Sequence, residues 1–159
     1  MRHLILTSMM VFTVAISNAI GAADFHCVPL EMKSENKEIV LTGPDQPKTS
    51  KIYFFKNLTK QSIWLDHPVL HPSVSAGWSS YLRAGNASAL VANRKNFNLS
   101  CAVIKPGKVE YLDCAKAISI CALKETAFKS TRKGTYWLVE DKLWDDLIKA
   151  LIKRGVEIK

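Results

Sequence analysis

His67 and His71 stand four residues apart with Asp66 beside them. On one helix face that spacing would bring two imidazoles to a transition metal. Each histidine is followed by proline, at Pro68 and Pro72, and a residue before proline is steered away from helical angles. The pair therefore reads as loop histidines, with a metal site as the alternative, and no resident cofactor is expected. Cys27, Cys101, Cys114 and Cys121 carry the other reactive chemistry. An even number of cysteines in an exported chain reads as two disulfides, and the spacing lacks the Cys-x-x-Cys knuckle of a zinc site. Serines are plentiful, yet there is no Gly-x-Ser-x-Gly elbow and no glycine-rich phosphate loop. Asp141, Asp145 and Asp146 are accounted for by the dipole of a C-terminal helix rather than by a glycosidase carboxylate pair. The chain is not expected to be an enzyme; a small envelope hydrolase or metal-binding protein using His67 and His71, and a membrane-active sandwich, are the rivals.

Binding is the better prospect. Trp64, Trp137 and Trp144 lie in apolar runs and are expected in the core, whereas Trp78 follows Ala76-Gly77, precedes two serines and could be displayed. The 22 basic and 14 acidic side chains give a formal net charge of +8, which draws a protein toward anionic surfaces. Most lysines are spread out, but Lys129, Arg132 and Lys133 are close in sequence. Trp78 on the loop 66–78, assisted by Lys129, Arg132 and Lys133, is thus the candidate contact surface. The partner would be an anionic envelope or host-surface component or another protein, with no specific nucleic acid. Asn57, Asn86 and Asn98 head formal glycosylation sequons, read here as chance occurrences.

Residues 1–23 have the Arg2 n-region, apolar run and small-residue end of a secretory signal peptide. That predicts a periplasmic or secreted protein with no transmembrane segment once the signal is cleaved. Residues 24–159 then form a single domain. Short alternating runs punctuated by turns predict an antiparallel β-sandwich. Among them, 51–56 and 62–66 pair as one hairpin, and a second folds about Pro106-Gly107. Leu143, Trp144, Leu147, Ile148, Leu151 and Ile152 recur at helical spacing, so a C-terminal amphipathic helix over 141–154 covers a face or open end of a sheet. In the second hairpin, Ile104 opposite Val109 makes Cys114 a diagonal neighbour of Cys101, about 7 to 8 Å away. That exceeds the span of a disulfide. Cys101 and Cys114 are accordingly expected to bond to Cys27 and Cys121, in one order or the other.

An ordered series of short motifs runs through the chain: Tyr53-Phe-Phe-Lys-Asn57, Ile63-Trp-Leu65, His67-Pro68, Ser75-Ala-Gly-Trp-Ser-Ser-Tyr-Leu82, Ser88-Ala-Leu90 and Asn96-Phe-Asn-Leu-Ser-Cys101. Pro106-Gly107, Tyr111, Cys114, Cys121 and Tyr136-Trp-Leu-Val-Glu140 continue it. The series resembles the enhanced entry protein EnhB family, small exported proteins of bacteria that live inside host cells. The resemblance implies a periplasmic or secreted protein linked with host-cell entry, without a defined enzymatic activity and without catalytic residues to carry over.

Overall fold

The computed structural model describes residues 27–32, 34–42, 51–66, 79–92, 96–123, 128 and 135–157. The segment read as a signal peptide lies outside them. Eleven strands and two helices follow in order among these residues: β1 (Cys27–Pro29), β2 (Ser34–Glu35), β3 (Glu38–Thr42), β4 (Lys51–Asn57), β5 (Ile63–Asp66), β6 (Ser79–Leu82), β7 (Ala87–Ala92), β8 (Asn96–Lys105), β9 (Lys108–Leu112), α1 (Cys114–Ala117), β10 (Ile118–Leu123), β11 (Tyr136–Lys142) and α2 (Trp144–Lys153). They form the expected antiparallel sandwich. The first sheet has the order β1-β10-β4-β7-β11, and the second β2-β3-β8-β5-β6 with β9 also on β8.

Alternation decides which side chains meet between the sheets. Tyr53 and Phe55 of β4, Leu90 of β7 and Ile120 of β10 face Ile39, Leu65 and Leu99 of the second sheet in one buried cluster. Burial there pushes the Tyr53 phenol up to about 12. The opposite side of β4 and β7 is apolar too. Ile52, Phe54, Ala89 and Val91 pack under Leu147 and Leu151 of α2, and the Trp144 ring lies 5.7 Å from that of Phe54. The centre of the first sheet is therefore apolar on both faces and covered on both, while Lys56 and Ser119 beside it are exposed.

The helix is shorter than expected, Trp144–Lys153 rather than 141–154. Glu140 and Asp141 end an edge strand instead of opening the helix, and Leu143 and Ile152 are exposed, which narrows the buried stripe. Its C-terminus closes as the sequence indicates: Gly155 takes φ +81, the Val156 amide donates to Leu151 O at 3.1 Å and the Gly155 amide to Ile152 O at 2.9 Å. Those bonds satisfy last-turn carbonyls through a left-handed residue that only glycine adopts cheaply.

Two pairings differ from expectation. Segments 51–56 and 62–66 are not a hairpin, because β4 belongs to the first sheet and β5 to the second; the chain arches across the sandwich between them. The disulfides are Cys27–Cys121 and Cys101–Cys114, not cross-links from the hairpin cysteines to the other two. The hairpin register itself is as expected, with Ile104 opposite Val109 and Cys101 opposite Leu112. The strand, however, ends at Leu112. Asp113 caps a single helical turn, its carboxylate accepting from the Ala115 amide at 3.2 Å, and this turn swings Cys114 to a Cα separation of 5.2 Å from Cys101. Cys27 and Cys121, by contrast, are strand diagonals, since Cys27 pairs with Leu123 and Pro29 with Cys121. Their Cα atoms are 5.4 Å apart, so a diagonal on a twisted ladder can come within disulfide reach.

Asp141 joins the two sheets where their edge strands β6 and β11 run side by side. It adopts φ +49 within an irregular stretch of β11. Its Oδ1 accepts from the Arg83 amide (2.9 Å) and the Asn86 side chain (2.8 Å), and its Oδ2 from Arg83 Nε (2.7 Å). Its own amide donates to Ser88 Oγ at 2.9 Å. Burial raises the pKa of this carboxyl, but the hydrogen bonds from Arg83 and Asn86 together with the guanidinium charge outweigh it, and the net result lies below the usual value. A lowered folded pKa gives stability that is complete above the unfolded value of about 3.9 and is lost as pH falls through the folded one. Asp141→Asn should therefore lower stability at pH 7 by about 1 to 2 kcal/mol. Urea midpoints measured from pH 7 downward should show the gap to the parent protein closing in acid; a gap that is constant with pH would contradict this role.

Candidate functional site

The outer face of the second sheet differs from that of the first. In β5, Ile63 and Leu65 are buried, so Trp64 and Asp66 point the other way; in β6, Ser80 and Leu82 are buried and Ser79 and Tyr81 are exposed. In β8, Leu99, Cys101 and Val103 enter the core, leaving Asn98, Ser100, Ala102 and Ile104 on the outer side.

Strand register lines these residues up. Tyr81 is opposite Trp64, Trp64 opposite Ala102, and Ala102 opposite Tyr111. This sets three aromatic residues in one row across β6, β5, β8 and β9. With strands about 4.8 Å apart, the row is about 14 Å long. Trp64 and Tyr81 meet edge to face at 5.4 Å. Tyr81 is 42% and Tyr111 56% exposed, whereas Ala102 between them is 7% exposed and forms a floor. On one side of this row lies an aliphatic pair, Ile104 opposite Val109, exposed at 59% and 52%. On the other side the row is polar: Ser79 is opposite Asp66 and Asp66 opposite Ser100.

The polar row ends in a notch. Strands β3 and β9 share one edge of β8, pairing with its Asn96–Leu99 and Cys101–Lys105 stretches. Ser100 falls in the gap between them. An open cavity of about 270 Å³ occupies the gap, lined by Asn36, Lys37, Glu38, Ser100 and Tyr111. The lining is held firmly. Asn36 and Lys37 both have positive φ (50° and 70°) in the tight β2–β3 turn, Lys37 O accepts from the Cys114 amide at 3.2 Å, and Lys37 Nζ donates to Tyr111 O at 3.2 Å. Ser100 Oγ donates to Asp66 O at 3.3 Å, and Asn98 Nδ2 reaches Glu38 Oε2 at 3.5 Å.

Charge around the face is mixed, both at the hairpin tip and along the polar row. At the tip Glu110 pairs with Lys105; that hydrogen bond and charge, with smaller help from Lys108 and Lys37, hold its carboxyl below the usual range against slight desolvation. Along the row stand Asp66 and Glu38, with the Lys37 ammonium beside Glu38 in the notch.

The sequence-predicted contact residues Trp78, Lys129, Arg132 and Lys133, and the histidines His67 and His71, lie outside the described residues. Of the tryptophans expected in the core, Trp137 packs against it with its ring 5.4 Å from Phe55, and Trp144, the first residue of α2, packs on Phe54 in the layer between the helix and the first sheet. Trp64 departs from expectation, half-buried on the outer face. No helix among the described residues is long and apolar enough to cross a membrane, and the two disulfides are consistent with an extracellular or periplasmic protein. No family model, curated protein or solved structure matches the chain.

Proposed function

We propose that the protein is an exported, non-enzymatic recognition module that holds its partner on the outer face of the second sheet. One observation carries this reading. Two sheets of one sandwich are finished differently: α2 covers the centre of the first, whereas among the described residues nothing covers Tyr81, Tyr111, Ile104 and Val109 on the second, with Trp64 half-buried among them. Contiguous exposed apolar surface rimmed by polar groups marks interaction sites. The signal-like residues 1–23 and the two disulfides support export. The net charge of +8 supplies long-range attraction to an anionic envelope or host surface, and the open face supplies the contact. The resemblance to the EnhB family extends the proposal to a role in bacterial entry into host cells.

The test is retention of labelled protein on bacterial outer-membrane vesicles and host plasma-membrane vesicles. The double substitution Tyr81→Ser with Ile104→Asp, both exposed and outside the buried clusters, should reduce retention about tenfold with the unfolding midpoint nearly unchanged. Undiminished retention by a folded variant would remove the face from the proposal.

A further inference from the structure

We infer that this open face binds a neutral saccharide, an inference that rests on the recognition reading and names its ligand. A pyranose ring has two kinds of surface. Its C–H faces stack on aromatic rings, and its rim of hydroxyls needs hydrogen-bond acceptors and donors. The second sheet presents those two kinds of surface side by side, because strand register sets the row Tyr81, Trp64 and Tyr111 beside the row Ser79, Asp66 and Ser100, with Glu38 at its end. Sugar units stacked along the aromatic row would turn their hydroxyls toward the carboxylates of Asp66 and Glu38 as acceptors. At the notch, Lys37 and Asn36 add donors.

Charge selects among ligands. Asp66, Glu38 and Glu110 on this face are matched by Lys37, Lys105 and Lys108, so it carries no excess of positive charge to hold a phosphate, sulfate or sialic acid carboxylate, and a neutral ligand suits it better than nucleic acid, anionic lipid or acidic glycans. A wholly apolar partner would bury those carboxylates without compensation. A neutral, hydroxyl-rich chain satisfies both rows. The small residues Ser100 and Ala102 keep the floor low between the rings, and the bonds from Lys37 to Tyr111 and Cys114 hold the notch in shape before ligand arrives. Such preorganisation reduces the ordering cost of binding.

The experiment uses the signal-free protein on a printed array of neutral, sialylated and sulfated oligosaccharides, followed by calorimetry with the strongest array ligand. Neutral oligosaccharides should bind, tryptophan fluorescence should change on saturation in the parent protein but not in Trp64→Phe, and Tyr111→Ala and Glu38→Gln should each weaken binding about tenfold. Thermal unfolding of both variants controls for misfolding, and both positions are at the surface. Silence across the array, preference for sialylated or sulfated glycans, or binding indifferent to both substitutions would overturn the inference, as would capture of a lysine-rich peptide with all glycans silent. Periodate treatment of the vesicles, which cleaves vicinal diols, separates the two levels of the argument. Retention lost with periodate supports the saccharide. Retention that survives periodate but is lost in the face variant sinks the saccharide and leaves the recognition module standing.

Discussion

A chain with Cys27→Ala and Cys121→Ala is expected to be less stable than the parent by about 4 to 5 kcal/mol in urea unfolding, the largest effect of any change considered. The bridge joins residues 94 apart in sequence, and closing a loop of about 100 residues restricts the unfolded chain by about 4.7 kcal/mol in the chain-entropy model. Besides the bridge, the N-terminal strand is held by the Leu30 amide donating to Ile120 O at 3.0 Å and by Leu30 and Met32 packing on the core. β1 has three residues, pairs among the described residues with β10 alone and exposes Val28 and Pro29. The bridge is also the seam between β10 and the layer under α2, where Cys27 and Cys121 pack beside Leu123. Removing Cys101–Cys114, which spans 13 residues, should cost about 3 kcal/mol by the same relation. Non-reducing peptide maps of the two double variants identify each bridge. A loss below about 1 kcal/mol for the Cys27–Cys121 variant would mean that its unfolded chain keeps the two ends together without the bond.

The contrast between these bridges shows what the sequence makes legible. Period two and the Pro106-Gly107 turn are local signals, and they specify the β8–β9 register pair by pair. The Cys101–Cys114 bond depends on something shorter: one helical turn of four residues, too brief for any periodicity to register. Its only mark is Asp113 at the cap position. The same limit explains β4 and β5. Apolar composition marks Tyr53, Phe55, Ile63 and Leu65 for burial, but buried residues of two facing sheets read alike, so a hairpin and a sandwich crossing are indistinguishable from the pattern. The site is different. The run Ile63-Trp64-Leu65 already implies that Trp64 points away from its neighbours, and Ser80-Tyr81-Leu82 says the same of Tyr81. Weight given to tryptophan as a core residue hides that signal. What no local reading supplies is that Tyr81, Trp64 and Tyr111 fall into one row, because that needs the register of four strands at once.

The two finishes of the sandwich share a cause. Strands β4 and β7 are apolar on both sides, with every residue of β7 buried, and such strands require a second layer, which the Leu147 and Leu151 stripe provides. Strands β5, β6, β8 and β9 carry polar and aromatic residues on their outer side and tolerate water. The sequence thus leaves the outer face of the second sheet to solvent, while the doubly apolar strands of the first require a cover.

Replacing Asn57 by alanine is expected to destabilise the protein by about 3 kcal/mol although the residue touches no ligand surface. Asn57 is 1% exposed and sits where the chain leaves the first sheet for the second. Its Nδ2 donates to Gln61 O at 2.8 Å and to Leu82 O at 2.9 Å, and its Oδ1 accepts from the Thr59 amide and the Thr59 hydroxyl, each at 2.8 Å. Both donors and both acceptor positions of the amide are therefore used. The Asn57 amide donates to Asn86 O at 3.0 Å, and Asn57 O accepts from the Gly85 amide at 3.2 Å. One residue thereby ties the β4–β5 arch to the end of β6 and the β6–β7 turn, which carry Leu82 and Tyr81 into the second sheet. Alanine would leave the Leu82 carbonyl and the Thr59 amide without their partner, whereas Gln61 O keeps the Thr59 hydroxyl at 2.8 Å, and a buried polar group left unmade costs about 1 to 3 kcal/mol. Asn57→Asp is the informative companion. It keeps the acceptors for Thr59 but replaces two donors with an oxygen facing two carbonyls, so it should be no better than alanine at pH 7. Equilibrium unfolding of both variants tests this, and an aspartate variant as stable as the parent would show that the two Nδ2 bonds do not hold the arch.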